Sequence, residues 1–402
     1  MSAGAQVAIL CGGLGTRLGQ LTAQTPKPLL PVGGAPFLEH LLFEIGRFGF
    51  RDIALLAHFE HAQIEDFAAN SVAAATFGLN LTVSVEPEQA GTGGALFHAR
   101  DLLADDFLLL NGDTWLSINF HALAATRRCE NAVAAIGLRE IDRPDRYNSV
   151  ELDGTRIRSF RRDRSIEGTA YINGGVIACN RSLLELLAPL SSLEDDALRV
   201  LAERGQLAGM PTNGYFLDIG VPEAFERAQR EIPALRRRGA LFLDRDGVLN
   251  VDHGYVGSVD RLEWIAGAER AVRIANERDL YVFVVTNQAG IARGYYGEAD
   301  VRALHDHMQA HLNALGAHID EFRYSPFHVD GVVTEFARES ECRKPRPGMI
   351  LDLIARWNVD PARSLLVGDK DSDLAAAEAA GIRAVKFTGG ALDSLVESLT
   401  SQ

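Results

Sequence analysis

A chain of 402 residues exceeds one ordinary domain and is long enough to bury two separate cores. Its net charge of -14 excludes a general nucleic-acid binder, which needs basic surface to displace counterions, and no apolar run approaches the roughly 18 residues that span a bilayer. With 47% hydrophobic residues, no secretory pattern before Val7 and four cysteines (Cys11, Cys129, Cys179, Cys342) without Cys-x-x-Cys spacing, the expectation is a cytoplasmic globular protein with reduced thiols and no membrane partner.

From residue 7 the chain alternates strands and helices. Residues 7–10 form a short apolar run that meets glycines, and Phe37, Leu38, Leu41, Leu42, Ile45 and Phe48 recur at helical spacing. Residues 53–57 and 107–110 read as strands, the second ending in Asn111-Gly112-Asp113. Unbroken runs of this kind fit strands buried on both faces of a largely parallel sheet, which places chemistry at their carboxyl ends. Asp218-Ile219-Gly220-Val221-Pro222 opens an amphipathic helix with proline in its first turn, fading near Glu231. Pro233 and Arg236-Arg237-Arg238 then read as a linker. A second series follows, with strands at 240–243, 281–285, 365–367 and 384–387 and helices near 267–278, 298–315 and 371–380. The predicted architecture is α/β: two doubly wound domains at 1–232 and 240–402, joined by 233–239.

The first candidate site begins at Gly12, Gly13 and Gly15, which let backbone N–H groups approach a phosphate, followed by Thr16 and Arg17. Thr25-Pro26-Lys27-Pro28 holds a lysine in a rigid frame. This combination resembles the sugar-1-phosphate nucleotidyltransferase family, which implies a Rossmann-type nucleotide-diphospho-sugar transferase fold. The resemblance continues through Glu86, Gly91-Thr92-Gly93-Gly94-Ala95, Asn111-Gly112-Asp113, Tyr171-Ile172-Asn173-Gly174-Gly175 and Asp218. It implies that Gly12, Gly13, Gly15, Thr16, Arg17, Glu86, Gly91 and Thr92 bind the nucleotide, that Asn173 and Gly174 contact the sugar, and that Asp113 and Asp218 carry Mg²⁺. Lys27 would stabilise the α-phosphoryl oxygens. The family often has Glu-Lys-Pro where this chain reads Phe160-Arg161-Arg162-Asp163, so Arg162 is expected to replace the lysine that grips the sugar phosphate.

Asp244 and Asp246 stand two apart just past a buried strand. With Thr286-Asn287, Arg343-Lys344-Pro345 and Gly368-Asp369-Lys370-Asp371 they resemble the haloacid dehalogenase superfamily of phosphohydrolases. The resemblance implies Asp244 as nucleophile and Asp246 as general acid and base. It puts Mg²⁺ on Asp244, Asp369 and the carbonyl of Asp246, and the sugar phosphate on Thr286, Asn287, Arg293, Arg343 and Lys344. Longer matches, His253-Gly254-Tyr255-Val256 and Thr286-Asn287-Gln288-Ala289-Gly290-Ile291-Ala292-Arg293-Gly294 among them, point to the branch of heptose 1,7-bisphosphate and histidinol-phosphate phosphatases. That branch usually carries a zinc loop. Here Ser325, Phe327 and Ser340 occupy ligand positions, leaving Cys342 and His328, so an empty loop is expected, held by Phe327, Val332, Val333 and Phe336. His307 and His311 share helical i, i+4 spacing but lack the glutamate of a zinc-protease motif, and a solvated face is expected.

Joined, the resemblances narrow the substrates. Through Pro36-Phe37-Leu38, Asn111-Gly112-Asp113-Thr114, Tyr147, Ile172-Asn173-Gly174-Gly175 and Gly214-Tyr215-Phe216-Leu217-Asp218-Ile219-Gly220, the first half most resembles the guanylyltransferases of D-glycero-α-D-manno-heptose 1-phosphate. A 7-phosphatase would supply their substrate, so GTP and heptose phosphates are the expected ligands and GDP-heptose the product. Two alternatives stand beside this reading: mannose 1-phosphate or another hexose 1-phosphate as acceptor, and a degenerate scaffold as the second half.

Overall fold

The computed structural model describes residues 6–13, 15–142, 147–161 and 168–400. Contacts divide the chain into two units, breaking between Ala234 and Leu235.

In the first unit, strands β1 (Gln6–Leu10), β2 (Asp52–Ala57), β3 (Asn80–Val85) and β4 (Asp106–Asn111) lie in the parallel order β3-β2-β1-β4. Val7, Ala8 and Ile9 are wholly buried, as a central strand covered on both faces requires. Helix α1 (Phe37–Arg47) is buried along its length. It therefore pairs its charges internally: Arg47 meets Glu44 at 3.0 Å, and Glu39 accepts from Ser71 Oγ at 2.9 Å.

Beyond β4 the sheet departs from the parallel expectation. The following strands are β5 (Thr114–Leu116), β6 (Ala134–Asp142), β7 (Ser149–Asp153), β8 (Arg156–Arg161), β9 (Thr169–Asn180), β10 (Leu207–Thr212) and β11 (Phe216–Asp218). Five of them extend the sheet as β4-β9-β6-β10-β8-β7, with β9 antiparallel to both β4 and β6, while β5 and β11 pair with each other. β7 and β8 are antiparallel too, and there the reason is connection length. Between Asp153 and Arg156 the chain has only Gly154 and Thr155, with Gly154 at φ 61°, and a turn this tight permits only antiparallel pairing.

Helix α2 (Gly91–His98) precedes β4, and α3 (Pro222–Leu235) closes the unit. The fading expected near Glu231 does not occur, because α3 continues through Pro233 to Leu235. Packing explains the tolerance: a Cβ on Gly33 would lie 2.1 Å from Pro233 Cγ, so the ring fits directly over a glycine. Gln229 from the same helix accepts from Gly33 N at 3.0 Å and donates to Pro31 O at 2.8 Å. Arg238, read from sequence as linker, is buried in the second unit against Asp279 at 3.3 Å and the Tyr281 ring.

The second unit is an all-parallel sheet of β12 (Ala240–Leu243), β13 (Tyr281–Asn287), β14 (Glu321–Ser325), β15 (Leu365–Gly368) and β16 (Arg383–Lys386) in the order β14-β13-β12-β15-β16. Its helices are α4 (Ala268–Glu277), α5 (Glu298–Ala314), α6 (Gly348–Trp357), α7 (Asp371–Ala379) and α8 (Leu392–Thr400). With β12 central, the carboxyl ends of β12, β13 and β15 converge, which is the crevice where open α/β sheets place their chemistry. His311 is not simply solvated: its ring stacks on Trp264 at 5.2 Å. Among the described residues no helix is long and apolar enough to cross a membrane.

Two candidate active sites

In the first unit the chain leaves β1 at Leu10 and turns sharply, held by Cys11 N donating to Leu56 O at 2.7 Å. Gly15 has φ 60°, and a Cβ there would meet Thr22 Cγ2 at 2.8 Å, so the loop requires glycine. Thr16 and Arg17 start the short 3-10 segment Thr16–Thr22 and face solvent. A Cβ on Gly12 would come within 3.0 Å of Glu86 Oε1. Glu86 is buried, its Oε2 has no hydrogen-bond partner, and burial raises its carboxyl above the ordinary range against the pull of His58 and His98. Gly91 opens α2 at φ 76°, and the Thr92 hydroxyl accepts from Leu193 N at 3.0 Å, tying that helix to the 191–193 turn.

The pairing of β5 with β11 sets Thr114 opposite Asp218, and Ile219 N donates to Asp113 O at 3.0 Å. This register brings together two carboxylates over a hundred residues apart in sequence. Lys27, 7% exposed, sits between them, bonded to Asp113 Oδ2 and 4.0 Å from Asp218 Oδ1. Tyr147, assigned no site role from sequence, donates to Asp218 Oδ2 at 3.1 Å, and Gly220 N donates to Oδ1 at 2.7 Å. Asn173 lies where the β9–β6 register shifts, its Oδ1 accepting from Gly175 N at 2.9 Å. A Cβ on Gly174 would meet Leu116 Cδ2 at 2.7 Å, and one on Gly175 would meet Asn111 Nδ2 at 3.0 Å, so this bulge lies against the Asp113 turn. Arg162 lies outside the described residues. Burial and Asp113 push the Cys11 thiol far up, which leaves it a packing residue rather than a nucleophile.

In the second unit Asp244 follows β12, its N–H donating to Val367 O at 3.1 Å. It is 5% exposed, and Lys344 Nζ approaches its Oδ1 at 2.9 Å. Burial raises the Asp244 carboxyl, while Lys344 pulls against that rise. Lys344 also contacts Asp373 Oδ1 at 2.7 Å and donates to Val285 O at 2.7 Å. Asp373 was not singled out in the sequence, yet carboxylate oxygens of Asp244, Asp369 and Asp373 all lie within 4.8 Å of one another. Asp369 Oδ1 is buried without a hydrogen-bond partner. Its neighbour Asp371 instead pairs outward with Lys386.

Asp246 accepts from Arg245, from Asn250 Nδ2 at 2.9 Å and from Gln288 Nε2 at 2.9 Å. Asn287 has a structural role that the sequence did not show. Its Nδ2 donates to Lys344 O at 3.0 Å and its Oδ1 accepts from Lys344 N at 3.1 Å, so the amide anchors the lysine's backbone. Thr286, Asn287, Arg343, Lys344 and both aspartates of the pair line a cavity of about 400 Å³. Arg293 approaches the Tyr255 ring at 6.0 Å, and Arg343 donates to Phe327 O at 3.0 Å.

The loop between β14 and α6 is held differently from expectation. Phe327 and Phe336 do approach, with ring centroids 6.0 Å apart, but the Val332 side chain is 76% exposed. Backbone bonds do the fastening: Val332 N and Val333 N both donate to Ala292 O, at 2.8 and 2.9 Å. His328 Nδ1 accepts from Asp330 N at 3.1 Å, so that ring nitrogen is used within its own turn.

Comparison with known proteins matches both units. The model of the nucleotidyl transferase family matches residues 6–234. The chain belongs to that family. A HAD-hydrolase-like model matches residues 341–397, and the chain carries a HAD-like phosphatase domain behind its transferase domain. It is 49% identical over 163 residues to the D-glycero-beta-D-manno-heptose-1,7-bisphosphate 7-phosphatase of Rhodopseudomonas palustris, spanning 40% of this chain and 91% of that protein. The protein of the same name from Escherichia coli K12 is 44% identical over 143 residues, 36% of this chain and 75% of its own length. Among solved structures, HddC from Yersinia pseudotuberculosis complexed with GMP-PN is 29% identical with a TM-score of 0.50, covering 56% of this chain and 99% of that one. A second crystal structure of HddC from Yersinia pseudotuberculosis is 28% identical at a TM-score of 0.51. The transferase domain thus shares its fold with HddC.

Proposed function

We propose that this nucleotidyl transferase makes GDP-heptose in two steps on one chain. The phosphatase domain removes the 7-phosphate of D-glycero-D-manno-heptose 1,7-bisphosphate, and the transferase domain moves GMP from GTP onto the resulting heptose 1-phosphate. The observation that carries the reading is the pairing itself: a phosphatase domain whose relatives are named for heptose bisphosphate stands behind a transferase domain resembling HddC. The units are taken to act independently, as domains 1–232 and 240–402 joined at 233–239.

The transferase residues suit this chemistry. Gly12, Gly13, Gly15, Thr16 and Arg17 hold the leaving pyrophosphate, and Lys27 steadies the α-phosphoryl oxygens while the sugar phosphate attacks in line. Glu86, with an unpartnered buried oxygen, faces the base beside Gly91 and Thr92. Guanine offers N–H donors to such a carboxylate, which uracil and thymine cannot match in pairs. Asn173, Gly174 and Arg162 hold the sugar phosphate.

In the phosphatase domain Asp244 attacks phosphorus and Asp246 protonates the leaving oxygen, with Thr286, Lys344, Arg293 and Arg343 around the substrate. The Asp244, Asp369 and Asp373 oxygens, one of them unpartnered, form a hard donor set that fits Mg²⁺. Asp113 and Asp218 offer a second, two-carboxylate set, which suits Mg²⁺ only when substrate phosphates complete it. When bound, the metal supplies charge neutralisation to the phosphoryl oxygens.

Purified protein given heptose 1,7-bisphosphate, GTP and Mg²⁺ should yield GDP-heptose, phosphate and pyrophosphate with no other enzyme added. The phosphatase relatives are named for the β anomer, so each anomer is supplied separately. Phosphate release with no nucleotide sugar from either anomer refutes the coupled reading, as does preferential nucleotidylation of mannose 1-phosphate.

Zinc content checks the loop separately. Elemental analysis after metal-free purification is expected to find well below about one zinc per chain, since tetrahedral structural zinc needs four ligands and this loop supplies Cys342 and His328. A stoichiometric ion lost on Cys342→Ser would contradict it.

A further inference from the structure

Gln288 belongs to neither the nucleophile–lysine pair nor the acid trio, yet it is 1% exposed at the end of β13 and touches both sides of the phosphatase site. Its Nε2 donates to Asp246 Oδ2 and to Thr286 Oγ1, each at 2.9 Å. Its Oε1 accepts from Arg245 Nη2 at 3.1 Å and from Tyr296 Oη at 2.7 Å. An amide has two N–H donors and two acceptor lone pairs, so all of its hydrogen-bonding capacity is used. The amide's orientation is also determined chemically. A guanidinium only donates and so must face Oε1, which leaves Nε2 toward Asp246.

Two consequences reach the reacting atoms. Asp246 Oδ2 is held from a second strand end as well as by its neighbour Arg245, whose Nη2 lies 3.0 Å from it. Thr286 Oγ1 receives a hydrogen bond from Gln288, so the hydroxyl's own proton is free for an acceptor in the cavity, where Asp244 stands.

We propose that Gln288 is a positioning residue, whose single buried amide aligns the proton-transfer group Asp246 and turns the Thr286 hydroxyl toward the transferred phosphoryl group. This rests on the phosphatase reading above. In the first step an Asp244 oxygen bonds to phosphorus as the phosphorus–oxygen bond to the sugar breaks, and the departing oxygen takes a proton from Asp246. In the second, water attacks phosphorus, Asp246 takes the water's proton, and the bond to Asp244 breaks to release inorganic phosphate. A p-nitrophenolate leaving group needs no proton. Loss of Asp246 alignment must therefore slow the first turnover of a sugar phosphate far more than that of an aryl phosphate. Misalignment of Thr286 slows both alike.

The experiment is rapid-mixing kinetics of the full chain with Mg²⁺, comparing first-turnover rates on heptose 1,7-bisphosphate and p-nitrophenyl phosphate. Gln288→Met, close in volume but unable to bridge, is expected to slow the sugar phosphate by about 10- to 100-fold, as lost supporting hydrogen bonds do around active sites. The aryl phosphate should lose at least tenfold less. Equal losses on both substrates, or no loss, overturn the proposal. Tyr296→Phe removes only the hydroxyl bond to Oε1 and should move the same ratio in the same direction by a few fold. It serves as the deciding variant if Gln288→Met does not fold, and an unchanged ratio then overturns the proposal. Wild-type protein that hydrolyses neither substrate sinks the phosphatase reading itself, an outcome distinct from an unselective loss in the variants.

Discussion

Asp244→Asn is expected to reduce phosphate release from heptose 1,7-bisphosphate by roughly 10⁴-fold or more, the scale on which removal of a covalent nucleophile acts. The fold should survive. Asparagine keeps the shape of the side chain, and Lys344, which loses a charged partner at 2.9 Å, retains Asp373 at 2.7 Å and the Val285 carbonyl at 2.7 Å. The buried ammonium is therefore not left unpaired, which is the circumstance that makes breaking such pairs costly. In the coupled reaction the variant should produce no GDP-heptose from the bisphosphate but a full yield from supplied heptose 1-phosphate. If it also fails on heptose 1-phosphate while folded, the two domains are not independent. If the bisphosphate is still converted at the wild-type rate, Asp244 is not the nucleophile.

What could be read from sequence followed the spacing of the chemistry. The Gly12–Gly15 loop and the Asp244–Asp246 pair were legible because each is a contiguous run just past an apolar strand, where an α/β sheet places its ligands. Asp373 was not. It lies three residues into the turn that opens α7, and its Oδ2 accepts from Lys370 N at 3.0 Å, so from sequence it is indistinguishable from an ordinary helix-capping acid. Only the position of Lys344, from a distant loop, reveals that its other oxygen faces the nucleophile.

Asn287 was legible only in part. A strand-end amide beside Thr286 reads as a phosphate ligand, and only the fold shows that it also holds the Lys344 backbone. The edge strand β14 escaped notice because Glu321 and Arg323 interrupt the apolar pattern. In the fold these residues pair with Arg356 and Asp352 at the sheet margin. The antiparallel β7–β8 pair was hidden for a related reason: its direction depends on a two-residue turn at Gly154 rather than on any property of the strands themselves. Contacts between distant segments decide these features, and periodicity carries no record of them.

The transferase site supports a prediction of comparable size. Asp113→Ala and Lys27→Met should each lower nucleotidyl transfer by roughly 10³-fold or more, since single groups aimed at developing phosphoryl charge are each worth factors of 10² to 10³ and these two act on the same atoms. Phosphate release by the second domain should stay within about twofold of wild type. The two variants differ in stability. Lys27→Met leaves the Asp113 and Asp218 carboxylates facing each other without their shared cation, whereas Asp113→Ala leaves Lys27 with Asp218 at 4.0 Å. Asp113 keeps 31% of its side chain exposed, so solvent limits the penalty in Lys27→Met to less than the 3–5 kcal/mol typical of a fully buried broken pair, about 1–3 kcal/mol. Mg²⁺ should then raise the Tm of Lys27→Met more than that of wild type, because the ion fills the charge deficit that the ammonium left and no lysine competes for the acids. Equal Mg²⁺ shifts in both proteins would mean that Asp113 and Asp218 do not form a cation site, and wild-type transfer by Lys27→Met would remove the lysine from the reaction.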